Sequence, residues 1–400
     1  MADVYLTIRP DQELTLYHIW RTSIQNIYNG NEKRSMLFTW PRLSMEGSFS
    51  LPNDQRINWF KRHLIRNDDL VWGVPIWPDE TSLSSQAAVG QPTLNVADTS
   101  HRHFYVGREC IIIDEYDFLS YEIGIIQSMT PTGITFTTNL AETWSAGSIV
   151  IPVYDFRMEI EQEIEADFRW FQSISLKFME NYDTLKTYTY TPPVSGAPTY
   201  LTYDIFLHEL LNPVKYKFKR PFDVLQTLGI GYYIHQLEAG KNFIKLTASA
   251  LYNTHEDMWH LLEFFDSKQG RLLPFWVPTW SKDVVATSAI LSTDTVINIE
   301  NISYTSFYLP NEIIGRFIYI QFPNKTYVCK KIVDSSTTTI TLDSPIGTAV
   351  STIGLLNLNI SFLILCRFDI DTLGMEYIDN NMVKTELIFS GLLDYILLPT

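Results

Sequence analysis

The sequence predicts a mainly β protein made of two tandem, duplicated β-domains. Each has one short helix and an inserted small β-barrel or sandwich module. Three observations predict it. Aromatic residues reach 14% of the 400-residue chain, with 22 Tyr, 23 Phe and 10 Trp, a bias toward strands and large contact surfaces. Short alternating apolar runs are separated by turn residues, the mark of small barrels and sandwiches. A stiff Trp/Pro stretch occurs twice, as "DLVWGVPIWPDET" (69–81) and "RLLPFWVPTWSKD" (271–283), about 200 residues apart. Length allows two to four domains with a well-buried core.

The repeat extends on both sides of that element, in constant order, which makes it a domain duplication and not a solenoid. Ile57–Leu64 aligns with Asp257–Phe264, Pro92–Asp98 with Thr295–Asn301, and Val106–Asp114 with Ile314–Phe322. Ile125–Leu140 aligns with Lys331–Ile346, Phe156–Ile164 with Cys366–Gly374, and Ser173–Glu180 with Leu387–Asp394. The first copy is assigned to 1–187, with a core of 1–82 and 152–187 around an inserted module, 83–151. The second is assigned to 218–400, with a core of 218–284 and 366–400 around a module at 285–365. The Pro, Ser and Gly of "YTYTPPVSGAPTY" (188–200) mark 188–217 as a linker or arm.

Within each copy the reading runs in order. Opening strands (Lys33–Leu51; Lys241–Leu251) lead into a helix. In the second copy Asn253 or Thr254 caps it. Met258, Leu261, Leu262 and Phe265 form one apolar stripe at helical spacing, and Gly270 ends it. Proline then fixes φ and removes a donor, so the Trp/Pro element is extended. Trp72, Pro75, Trp77, Phe275, Trp276, Pro278 and Trp280 are its packing or interface anchors, because aliphatic neighbours favour burial over a sugar-stacking platform. Short strands follow, and "FRMEIEQEIEADFRWFQSISLKFME" (156–180) reads as one long alternating strand with a wet face.

Charge and cysteine content exclude some classes. The formal charge is −15, unlike a duplex-DNA reader with clustered cations. "KYKFKR" (215–220) is the densest basic run and alternates like a strand. Cys110, Cys329 and Cys366 suit neither a disulfide framework nor a zinc site. They fit synthesis in a reducing cytoplasm. The N-terminus lacks the pattern of a signal peptide. "GLLNLNISFLILC", broken by Asn357, Asn359 and Ser361, reads as one or two buried strands and not a membrane span.

Candidate chemistry is sparse. His101 and His103 would share a face if they lay on a strand, but no third ligand accompanies them, so they read as structural. Asp369–Asn381 lacks the residue order of a calcium loop. Glu159, Glu161, Glu163 and Glu165 fit an edge strand protected from mispairing better than a glycosidase pair. No cofactor, no metal and no enzymatic activity is expected.

"FFDSKQGRLLPFWVPTWSKD" resembles the G-R-x-x-x-F-W-V-P-T-W motif of tailed-bacteriophage virion structural (minor tail) proteins, and "LVWGVPIWPDETSL" resembles their companion V-P-L-W-P-D motif. The helix with "FFDSKQGR" is also similar to distal-tail-type proteins. Asn67-Asp68-Asp69 stands where the first copy would carry the Gly-Arg of the pattern. The resemblance implies a non-enzymatic distal-tail or baseplate-hub component of the virion. Its partners would be a homo-oligomeric ring, trimer or hexamer, and other tail proteins (tube, hub, fibre). DNA would pass through the lumen, with no sequence-specific contact. Aromatic richness and acidic pairs also fit a carbohydrate-binding or depolymerising tail protein.

Overall fold

The computed structural model describes residues 2, 4–11, 14–26, 32–51, 54–66, 70–114, 120–159, 163–168, 171–181, 192–219, 222–227, 230–235, 243–307 and 315–392. The first half contains β1 (Val4–Tyr5), β2 (Leu14–Ile19), β3 (Thr22–Asn26), β4 (Glu32–Met36), β5 (Arg42–Leu51), α1 (Asp54–Arg66), β6 (Trp72–Pro75) and β7 (Thr81–Ser82). It continues with β8 (Thr93–Asn95), β9 (Glu109–Ile113), β10 (Tyr121–Thr130), β11 (Gly133–Phe136), β12 (Ile149–Met158), β13 (Glu163–Phe168) and β14 (Phe171–Glu180). The second half contains β15 (Thr199–Tyr200), β16 (Tyr203–Asp204), β17 (Leu211–Lys219), β18 (Phe222–Thr227), β19 (Ile230–His235), β20 (Phe243–Tyr252), α2 (His255–Ser267) and β21 (Phe275–Pro278). After it come β22 (Val296–Asn298), α3 (Tyr304–Phe307), β23 (Phe317–Gln321), β24 (Tyr327–Ser335), β25 (Thr339–Leu342), β26 (Asn359–Phe368), β27 (Thr372–Tyr377) and β28 (Val383–Gly391). The fold is mainly β, with antiparallel sheets and few helices.

The pairing scheme of the first half recurs in the second. β12 accepts β6, β9 and β14, and β26 accepts β21, β23 and β28. β5 lies between β2 and β14, as β20 lies between β17 and β28. The hairpin β3–β4 recurs as β18–β19. Even irregularities recur. The register slips between Ile126 and Ser128 against β11, and between Ile332 and Asp334 against β25. Asn95 donates to Ser85 at 3.1 Å as Asn298 donates to Ser288 at 2.8 Å.

The blocks within the halves have cores of their own, one from Leu83 to Val150 and one from Val284 to Phe362. A larger core joins both halves around Trp72, Phe178, Phe264, Phe275 and Phe389. α2 follows from its sequence. Thr254 caps it by accepting from Asp257 N at 3.1 Å, and Met258, Leu261, Leu262 and Phe265 are buried. Gly270 just beyond it has φ +63°, the left-handed geometry glycine tolerates.

Four expectations change. The stretch assigned as a linker, 188–217, contains most of β17, which holds the same place against β20 that β2 holds against β5. The long strand of 156–180 is divided, because β13 folds back on β14 with Glu165 opposite Ser173. Strand pairing puts Ser173 in the place of Lys384, three residues earlier than the sequence alignment. In the helices Ile57 and Phe60 match buried Met258 and Leu261, a one-residue correction. Short alternating segments leave such shifts undetermined until pairing fixes them.

Candidate functional site

The Trp/Pro elements form the end of one strand in each half. β6 pairs with β12, Trp72 opposite Phe156 and Pro75 opposite Val153. β21 pairs with β26, Phe275 opposite Cys366 and Pro278 opposite Leu363. Just past each proline the chain donates back, Ile76 N to Pro152 O and Thr279 N to Phe362 O, both at 2.9 Å. Trp72 thus matches Phe275, and Trp77 matches Trp280. Trp72, Pro75, Trp77, Phe275, Trp276 and Pro278 are buried. Trp280 is half-buried against the main core, with φ +53°.

The rings are held from inside. Trp72 stacks on Phe60 at 6.0 Å between centroids and meets Phe178 at 6.4 Å. Phe275 touches Phe264 at 5.1 Å and Phe368 at 4.8 Å. Trp276 belongs to a separate small core, 5.0 Å from Phe317, and its Nε1 donates to Tyr200 O at 2.8 Å. Gly73 occupies the place of Trp276, and a Cβ there would lie 2.4 Å from the Tyr5 ring. The same strand position is therefore filled by a tyrosine from β1 in one half and by its own indole in the other.

The two halves meet along a seam. β2 of the first half pairs antiparallel with β27 of the second, Leu16 opposite Met375 and Ile19 opposite Thr372. Beside this seam lies a buried polar chain. Asp79 Oδ2 accepts from His103 N at 2.8 Å and meets its Nδ1 at 2.5 Å. His103 Nε2 lies 3.2 Å from His18 Nε2. On the far side, Asp266 of α2 accepts from Trp20 Nε1 at 2.8 Å and lies 3.9 Å from His18 Nδ1. Burial, and then the neighbouring His103, hold the His18 imidazole well below its usual range, so it is neutral. Arg108 pairs with buried Glu180 at 3.1 Å, yet burial still pushes that carboxyl up. The contacts running from Asp79 to Asp266 tie the Asp79 and His103 turns and the end of β2 to α2 of the second half. Among the described residues no group of three or more His, Cys, Asp or Glu side chains could hold a metal ion.

A second clasp closes the seam. Glu32 binds Arg367 through two hydrogen bonds. Asp371 accepts from Thr22 N at 2.9 Å and Arg271 N at 3.0 Å, and Trp20 N donates to Asp371 O at 2.8 Å.

The structure distributes the remaining candidates. His101 and His103 lie in a turn, not on a strand, and it is buried His103 that joins the polar chain. Asp369 pairs with Lys245 at 2.5 Å. Of the glutamates, Glu163 and Glu165 are on β13 and Glu159 pairs with Lys177 at 3.6 Å; Glu161 lies outside the described residues. Sequence reading missed His18, Asp79 and Asp266. Each stands alone in the chain, and only the seam unites them.

No family model matches the chain, and no curated protein matches it. Among solved structures it is similar to the crystal structure of the SPP1 Dit (gp 19.1) protein, described as a paradigm of the hub adsorption apparatus in phages infecting Gram-positive hosts. The match covers 94% of this chain and 98% of that one, at 9% identity and a TM-score of 0.16. No helix among the described residues is long and apolar enough to cross a membrane.

Proposed function

We propose that the chain is a ring-forming structural subunit of a phage tail tip or baseplate, of the distal-tail or hub kind, linking tail tube to tip or fibres. Its two halves are duplicated copies, its place is the virion, and its role is mechanical and not enzymatic. One observation supports this most: two bodies with the same strand pairing are joined head to tail, the β2 edge of one against the β27 edge of the other. A contact between unlike edges is heterologous, and when its rotation closes it generates a ring. Three duplicated chains present six similar bodies, which match a sixfold tube and a threefold tip together; six chains present twelve. The −15 charge suits a lumen wall that does not grip passing DNA. The Trp/Pro motifs resemble those of minor tail proteins.

Imaging of the intact particle, with mass spectrometry of its proteins, tests the reading. The chain is expected in virions as a ring at the tail tip, and its gene's disruption should yield tails without that tip. Complete tails assembled without the chain would overturn it. A sugar-stacking platform built on the Trp/Pro elements would need their rings exposed, and Trp72, Trp77 and Trp276 are at most 4% exposed. Shortening of host polysaccharide that is lost in Glu163→Gln would nevertheless replace the mechanical reading.

A further inference from the structure

We infer that the outer edge of β17 is the docking edge for β13 of a second copy of this chain, in the register that β2 and β27 hold within the chain. The inference deepens the ring reading and rests on it for closure of the array. Its first support is topological. β17 holds the place of β2, and β13 holds the place of β27. Within the chain β2 and β27 are paired. Among the described residues β17 pairs with β20 and β13 with β14, and neither has a second partner. Among the described residues each chain therefore carries one unused edge of each kind, the arrangement that head-to-tail repetition requires.

The second support is exposure. In β2 the residues Leu16 and His18 are 0% and 4% exposed. Their counterparts in β17, Tyr216 and Phe218, are 38% and 61% exposed. Two aromatic residues on an open sheet edge are a surface normally covered by another strand.

The third support is register, and it carries the argument furthest. Thr15 faces Glu46 as Lys215 faces Thr247, so Lys215 stands where Thr15 does. Glu165 faces Ser173 as Glu376 faces Lys384, so Glu165 stands where Glu376 does. Within the chain Thr15 is opposite Glu376, Leu16 opposite Met375 and Tyr17 opposite Gly374. Carried over to the free edges, that register places Lys215 opposite Glu165, Tyr216 opposite Ile164 and Lys217 opposite Glu163. Directly opposed unlike charges stabilise an antiparallel pair, and like charges destabilise it. Lysines on an open edge also discourage indiscriminate pairing. An acidic strand at the matching edge turns those lysines into a selector for one partner, a second copy of the chain. β2 carries Thr15 and Tyr17 at these positions, so the contact within a chain and the contact between chains differ in charge.

The test compares full-length chains by native mass spectrometry and sedimentation: wild type, Lys215→Glu with Lys217→Glu, Glu163→Lys with Glu165→Lys, and all four together. Circular dichroism and unfolding midpoints verify that each folds. Wild type and the fourfold variant are expected to self-associate. Each double variant should do so with a Kd raised roughly tenfold or more, and a mixture of the two should associate again. A chain with Glu163→Cys and Lys217→Cys, oxidised at high concentration, should give a ladder of covalent oligomers absent from either single variant. Double variants that associate like wild type would overturn the inference and leave the ring reading standing. A wild type that stays single at every concentration, with no covalent ladder from the cysteine pair, would overturn both.

Discussion

The guanidinium of Arg367 holds both carboxylate oxygens of Glu32, Nε on Oε2 and Nη2 on Oε1, each at 2.7 Å, across 335 residues of chain. Both side chains are less than a tenth exposed, and the pairing with Glu32 raises the guanidinium pKa further against its burial. Removing Glu32 takes both short hydrogen bonds from the buried guanidinium and leaves it the longer contact to Asp369 at 3.6 Å. Glu32→Ala is therefore expected to cost about 3–5 kcal/mol in urea unfolding, with Glu32→Gln less harmful because its amide keeps one acceptor. An unchanged midpoint in Glu32→Ala would show that the clasp contributes nothing.

Gly270 combines φ +63° with a crowded site, where a Cβ would lie 2.7 Å from Asp371 Oδ1 and 2.9 Å from Trp20 Cβ. Gly270→Ala should destabilise by roughly 1–3 kcal/mol through strain and displacement of the Asp371 hub. Thermal unfolding reads the loss. A glycine replaced there without cost would mean that the loop after α2 can be rebuilt freely.

Acid should weaken the fold before the carboxylates titrate. Burial lowers His208 to about 4 and holds His18 well below its usual range, and His255 is lowered too. In the unfolded chain these imidazoles take up protons below about pH 6.5, and in the folded chain they do not. Their contribution is therefore intact above that pH and is lost as pH falls toward 4. Glu180 and Glu109, raised by burial, act in the opposite sense and offset part of the loss. His208→Phe should flatten the profile between pH 6.5 and 4.5 by on the order of 2 kcal/mol. Parallel unfolding curves for wild type and variant across that window would refute the assignment.

Trp77 and Trp280 occupy matching positions with different backbones. Trp77→Ala opens a cavity in the shared core and should cost about 3–5 kcal/mol, preventing assembly. Trp280 is half-buried and left-handed, so Trp280→Gly should retain more stability than Trp280→Ala. Denaturant midpoints of the two variants decide this; equal midpoints would remove the backbone argument.

What the sequence makes legible here is local. Thr254, the Met258–Phe265 stripe and Gly270 announce α2 because caps and periodicity act within a few residues. The paired Val-Pro-x-Trp segments announce a recurring element because proline restricts the backbone wherever it stands. The seam has no such signal. Leu14–Ile19 and Thr372–Tyr377 lie at opposite ends of the chain, and nothing in either names the other. The alternation of "KYKFKR" shows a strand, but its Pro- and Gly-rich neighbours put Lys215 and Lys217 in the arm, and nothing local names β20 as the strand's partner. The polar chain of Asp79, His103, His18 and Asp266 gathers residues that are each unremarkable where they occur.

The pairing of β2 with β27 also orders events during synthesis. At ribosomal rates of about 5–20 residues per second, Leu14–Ile19 emerges many seconds before Thr372–Tyr377. Throughout that interval the nascent chain carries an incomplete margin, with Glu32 lacking its guanidinium. Neighbouring ribosomes on one message then hold several such margins close together. Crowded translation is where premature strand exchange would begin, and slower initiation, which spaces the ribosomes, should improve the yield of correctly folded chain.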